Sequence, residues 1–209
     1  MDTLIVLTPT RDRFRGCRFT MHVVYAAAKA LGVELEYYEQ ERQSLVETRN
    51  RILQDVRKAH PDNKTLNVLW LDDDILIPSS ENLAAMIYQA EEHHYNLVAP
   101  YKILDPSCNI HAQWWKPYDT AKCTCVLSYS HLAKKRSLYS QDEVRALKPY
   151  DLIPFAGLGC YYGEMPLYYK FHLAPEGEQI EDVLFFEENP QIVLRHFPLP
   201  LKHLKEFPI

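Results

Sequence analysis

Three consecutive carboxylates, Asp72-Asp73-Asp74, close an apolar run (Leu66, Val68, Leu69, Trp70, Leu71) with the length and β character of a buried strand. Acidic oxygens bunched in this way suit a hard divalent cation, Mg²⁺ or Mn²⁺, held together with substrate phosphates. In an open α/β sheet the carboxyl end of a strand faces the ligand crevice, so position and residue type agree. Taken alone, an Asp cluster is more often a solvated loop; the strand in front of it is what points to a metal. A second acidic pair, Glu181-Asp182, opens a stretch through Phe186 that reads as a short helix, where carboxylates favour the N-terminal dipole.

The elements that must carry these groups are well punctuated in the first half of the chain. Thr3 to Leu7 reads as a strand ending in Thr8-Pro9-Thr10. Val23, Val24, Ala27, Ala28 and Leu31 form one face of a helix that Gly32 stops. Val33 to Tyr38 alternates as a second strand. Ser44-Leu45-Val46-Glu47 has the pattern of a capping box, and the helix it starts runs through Ile52, Leu53 and Val56 without passing far beyond Pro61. After the acidic strand, Leu83, Met86, Ile87 and Ala90 give another helix with one apolar stripe, and Asn96 to Tyr101 reads as a fourth strand. This alternation predicts a mostly parallel sheet with right-handed crossovers. No linker or repeat interrupts it, so residues 1–209 are expected to form a single domain.

The second half has a different texture. Trp114-Trp115 and the Cys123 to Tyr129 alternation precede an expected helix at Gln141–Leu147. Leu152 to Tyr162 holds Gly157 and Gly159 among apolar residues, a strand and tight turn with close backbone approach. Gln191 to Phe197 reads as the last strand, and the tail from Pro198 is expected to wrap the surface.

The charge is −5, from 23 basic and 28 acidic residues, so no basic stripe advertises nucleic acid as the main partner. No apolar stretch approaches the ~18–20 residues of a membrane span. Met1-Asp2-Thr3 leads directly into a strand with no basic segment, so no secretory signal is expected and the reading is a cytoplasmic protein. Five cysteines at irregular spacing complete no recognised zinc pattern and are read as reduced, mostly buried thiols. Neither GxGxxG nor GxxxxGK[ST] occurs, and glycines number only six, so phosphates would be held by metal and side chains.

In the order of its motifs the chain resembles the GT-A fold glycosyltransferases, the nucleotide-sugar enzymes related to family 2, and in particular their short archaeal, phage or viral members. The likeness is carried by Arg49-Asn50, by Leu69 to Ile75 with Pro78 after it, and by Val98-Ala99-Pro100-Tyr101. Phe155 to Cys160 and Glu181-Asp182-Val183 continue it. It implies a Rossmann-like, mostly parallel α/β sheet flanked by helices. Residues 1–104 would be the nucleotide-binding half, 105–197 a smaller acceptor-binding portion and 198–209 a tail. It implies a nucleotide-diphosphate sugar donor and an acceptor that could be glycan, protein or lipid, in the host cytoplasm if the source is viral.

By the same resemblance Asp72 lies near the ribose or metal shell, Asp74 ligates Mn²⁺ or Mg²⁺, and Asp73 is the spacer, with the register open by one. Thr8, Pro9 and Arg11 fall where the family seats the nucleotide. Glu39 falls where a carboxylate meets base or ribose, and Arg49 near base or phosphates, unless it is a surface arginine. Glu181-Asp182 matches the pair of inverting members, with Asp182 the expected general base and Glu181 the alternate. His196 is either a third metal ligand or structural. Trp114, Trp115 and the Phe155–Tyr162 segment either line the sugar face or pack in the core. The Gln-x-x-Arg-Trp signature of processive synthases is missing, so a single addition is expected. Two rivals remain: a sugar-phosphate nucleotidyltransferase, which would carry a glycine-rich first loop not found here, and a non-catalytic nucleotide-sugar-binding protein, which would not need Asp182.

Overall fold

Alternation along β1 (Thr3–Thr10) sends Leu4 and Val6 to one side of a sheet and Ile5 and Leu7 to the other, all buried. A strand buried on both faces needs a helical layer on each. Helices α1 (Cys17–Leu31) and α3 (Ser80–His93) supply one, packing Val24, Ala27, Leu83 and Ile87 against Leu4, Val6, Leu69 and Leu71. On the other face α2 (Leu45–Ala59) and α4 (Glu181–Glu188) pack Ile52, Val56, Phe185 and Phe186 against Ile5, Leu7, Val68 and Trp70. The computed structural model describes residues 1–10, 17–41, 44–73, 75–100, 102–104, 123–132, 135–140, 146–154, 156–173, 181–199 and 201–203.

Among the described residues the other strands are β2 (Glu34–Glu41), β3 (Thr65–Leu71), β4 (Ile75–Leu76), β5 (Asn96–Val98), β6 (Lys102–Leu104), β7 (Cys123–Leu132), β8 (Lys135–Ser140), β9 (Leu152–Ile153), β10 (Cys160–Pro166), β11 (Leu194–His196) and β12 (Lys202–His203). Six of them join β1 in the seven-stranded central sheet, in the order β2-β1-β3-β10-β5-β11-β9. Strands β1, β2, β3, β5 and β11 run one way, while β10 and β9 run against them. The expected α/β class, a mostly parallel sheet flanked by helices, is what the chain forms. Strand order reverses at β1, with β2 added on one side and β3 on the other. In such sheets the ligand crevice opens at that switch, outside the carboxyl ends of β1 and β3.

Local signals explain the helix ends. Ser44 Oγ accepts the Glu47 N–H at 3.2 Å and Ser79 Oγ the Asn82 N–H at 3.1 Å, each satisfying an orphan donor of a first turn. Gly32, at φ +69°, ends α1.

Four expectations need correction. Leu152 to Tyr162 is not one strand and a turn: β9 and β10 are separate, and β10 inserts antiparallel between β3 and β5. Asn96–Tyr101 and Gln191–Phe197 shorten to Asn96–Val98 and Leu194–His196. The tail does more than wrap the surface, since Leu199 is buried in the core and Lys202–His203 pair with β4 just past the acidic residues. Most of the helix expected at Gln141–Leu147 lies outside the described residues, as do Trp114 and Trp115.

Strand β10 fits its central place because Gly163 lets Asn96 come close. An added Cβ would stand 2.9 Å from the Asn96 Cα and 2.9 Å from the Tyr161 Oη, and closer still to the Asn96 Oδ1. That oxygen also accepts from Tyr161 Oη and from the Glu164 N–H. Gly163→Ala is therefore expected to destabilise the fold by about 1–3 kcal/mol through overpacking, read as a lower urea midpoint.

Candidate active site

Beyond its last paired residue, β3 gains one more contact on the β10 side: the Asp72 N–H donates to the Gly159 carbonyl at 3.0 Å. The Asp72 carbonyl in turn accepts the Ile75 N–H at 3.1 Å, a turn that ends the strand. The buried Thr20 hydroxyl of α1 donates to the Ile75 carbonyl at 2.8 Å and ties the far side of that turn to the helix layer. The acidic cluster thus starts from a fixed backbone. Alternation puts Asp72 on the same face as Trp70, toward α2 and α4.

Arg49 meets it there. Its guanidinium is 1% exposed, with Nη2 3.8 Å from Asp72 Oδ1 and Nη1 3.1 Å from Glu181 Oε1. The same cation lies 5.5 Å from the ring centroids of both Trp70 and Phe171, within cation–π range. Arg49 is not a surface arginine. It is a buried cation joining the end of β3 to the start of α4. One signal could have found it: Arg49, Ile52, Leu53 and Val56 stand at i, i+3, i+4 and i+7, so Arg49 continues the apolar stripe of α2.

The two members of the acidic pair differ in surroundings. Glu181 is 2% exposed; burial pushes its carboxyl up, Arg49 pulls it back down, and the charge of Asp182 adds to the rise. Asp182 is half-buried, and its Oδ2 accepts the Leu158 N–H at 3.3 Å. Leu158 and Gly159 therefore connect the two acidic sites, one amide to Asp182 and the next carbonyl to Asp72. Sequence reading placed close backbone approach in this segment but not its partners. Cys160, beside it, is buried, and desolvation with the nearby Asp72 charge pushes its thiol up to about 12, so it stays protonated and inert.

Other candidates are more dispersed. Thr8 and Pro9 are buried at the end of β1, and Glu39, exposed on β2, is in register with Thr8. Thr8 and Glu39 continue the alternation toward α1, the face opposite Asp72. Asp73 is half-buried. Arg11, Asp74 and Phe155 lie outside the described residues. His196 is buried at the end of β11, three strand spacings from β3, on the order of 14 Å, and the structure does not bring it to Asp72. Among the described residues no three His, Cys, Asp or Glu side chains converge as a metal centre.

Burial pushes the His196 imidazole below its ordinary range, with Asp151 partly opposing, and no protein partner for Nδ1 is found among the described residues. A histidine kept neutral in the fold but free to protonate when unfolded costs stability in acid. Stability is therefore expected to fall as pH drops below about 6.5, through the folded-state value, and His196→Gln to flatten that part of a melting-temperature profile.

No family model matches the chain, and no curated protein does. Among solved structures, one that resembles it is described as a glycosyltransferase involved in the glycosylation of the major capsid of PBCV-1. The identity is 13%, with 98% of this chain and 95% of that chain covered, at a TM-score of 0.47. Another is a CMP:2-keto-3-deoxy-manno-octonic acid synthetase complexed with CTP, 11% identical over 95% of this chain and 90% of that one, at a TM-score of 0.41. Neither likeness is close enough to assign an activity, and the functional reading rests on the chain's own residues. No helix among the described residues is long and apolar enough to cross a membrane.

Proposed function

We propose that this chain is a metal-dependent, inverting glycosyltransferase that moves one sugar from a nucleotide-diphosphate donor to an acceptor hydroxyl. The observation that carries the reading is the Leu158-Gly159 bridge between Asp72, at the carboxyl end of β3, and Asp182, at the start of α4. An acid suited to a donor's metal and an acid suited to an acceptor's proton are thereby held to one short stretch of backbone.

The donor set fits a hard cation. Asp72 Oδ1 is buried on the Arg49 side, while the side chain as a whole keeps 22% exposure. Asp72 and Asp74 would hold Mg²⁺ or Mn²⁺, with Asp73 beside them; His196 is left out of this set. When bound, the ion stabilises the charge that builds on the leaving diphosphate. Thr8, Pro9, Arg11 and Glu39 would seat the nucleotide at the ends of β1 and β2. Asp182 would take the proton of the acceptor hydroxyl as its oxygen bonds to the anomeric carbon and the bond to the diphosphate breaks. Glu181, engaged by Arg49, is the weaker candidate for that proton.

The test is a panel of nucleotide sugars with acceptor mixtures, with and without Mn²⁺, following release of the nucleoside diphosphate and the anomeric configuration of the product. Metal-dependent release from one nucleotide series, with an inverted anomer, is the expected result. Pyrophosphate release from a nucleoside triphosphate and a sugar phosphate would identify a nucleotidyltransferase instead. Binding without turnover would leave a nucleotide-sugar-binding protein.

A further inference from the structure

Arg49 and Asn50 act on the two ends of one connection. Asn50 spends its whole amide on Phe171: Nδ2 donates to the Phe171 carbonyl at 2.9 Å, and Oδ1 accepts the Phe171 N–H at 2.8 Å. Arg49 lies over the ring of the same residue and pairs at 3.1 Å with Glu181, the first residue of α4. Phe171 and Glu181 are therefore both held against α2, by adjacent residues of one helical turn. Helix α4 is short, two turns, and its acidic first turn includes Asp182. Where so short a helix begins depends on what holds its first residue, because isolated helices of this length do not persist.

We infer that Arg49-Asn50 is a positioning pair that sets the start of α4, and through it the Asp182 carboxylate, relative to Asp72. The inference deepens the proposed function and rests on it for the role of Asp182. Arg49 suits the task better than lysine would. Its planar fork reaches Asp72 and Glu181 at once while its faces lie on Trp70 and Phe171, which an ammonium cannot do. At 1% exposure, against Glu181, Asp72 and two rings, its charge is balanced from within the protein, so donor affinity is not what its loss should change most.

Hydrogen exchange of the intact protein tests this without any substrate. In Asn50→Ala and Arg49→Met, amides of Leu184 to Glu188 are expected to exchange about tenfold faster or more, while those of β1 and β3 keep their protection. Arg49→Met/Glu181→Gln, which removes both buried charges, should exchange more slowly there than either single variant, because neither partner is left as a buried lone charge. Arg49→Lys should fall between wild type and Arg49→Met. With a donor in hand, kcat should drop about tenfold in Asn50→Ala with donor KM changed less than about threefold. Unchanged α4 exchange with a large rise in donor KM would overturn the inference and make Arg49 a donor contact. Loosening spread evenly over β1, β3 and α4, in Asn50→Ala as well as Arg49→Met, would overturn it too, leaving only general stability. If no nucleotide sugar is turned over, the exchange data still decide the positioning, and only the proposed reaction falls.

Discussion

Asp182→Asn should leave the protein folded and able to bind nucleotide while transfer falls by about 10²–10⁴-fold, the usual contribution of a positioned general base. The fold should survive because an amide oxygen can still accept the Leu158 N–H that the carboxylate accepts at 3.3 Å. The loss should sit in kcat, since the proton leaves the acceptor only as the new bond forms. Glu181→Gln makes the contrast. Its carboxylate is buried against Arg49, and Gln there leaves that cation the longer 3.8 Å contact to Asp72, so the change should register in the urea midpoint more than in proton transfer. The measurements are a urea midpoint and a single-turnover transfer rate for each variant. A transfer rate unchanged in Asp182→Asn would remove that residue from the mechanism, and a stable but inactive Glu181→Gln would move the base to its neighbour.

Much of this arrangement was legible in the sequence because it is written in short periods. Leu4 to Leu7 and Val68 to Leu71 alternate between two buried faces, and the 3.6-residue stripes of α2 and α3 say which side of each helix packs. The strand-end position of Asp72 follows from those same patterns. Strand β10 was not legible, since Cys160-Tyr161-Tyr162-Gly163-Glu164-Met165-Pro166 has a glycine and a proline where a central strand is not expected. Its place is set by distant partners: β3, β5 and the close approach of Asn96 to Gly163. A strand of two residues such as β9 carries too few side chains to show any period, and of β11 the place could be read but not the ends.

The site divides along the same line. A run of carboxylates after a strand can be read locally, but which member of Glu181-Asp182 is taken up by a buried cation depends on Arg49, far away in the chain. A charged residue on an apolar stripe reads as an exception until its buried partners are known. Here the exception is informative, because a cation placed in a core demands an anion beside it. Arg49 finds two, one from each half of the candidate site.

Metal binding should report through Asp72 in a way that separates site from scaffold. At 100 times its dissociation constant, a nucleotide diphosphate with Mn²⁺ should add about 2.7 kcal/mol to wild-type stability, a shift readily seen in melting. In Asp72→Asn the metal-dependent part of that shift should disappear. The unliganded variant should melt close to wild type, because Arg49 keeps Glu181 at 3.1 Å when the longer 3.8 Å contact to Asp72 loses its charge. Asp73→Asn and Asp74→Asn fix the register. Loss of the Mn²⁺ response in Asp74→Asn but not Asp73→Asn makes Asp72 and Asp74 the ligands, whereas the reverse moves the motif by one residue. A full Mn²⁺ response in Asp72→Asn would mean that the carboxyl end of β3 does not hold the ion. Asp72 would then serve only to balance the buried Arg49, and the acidic turn would lose its claim to the donor.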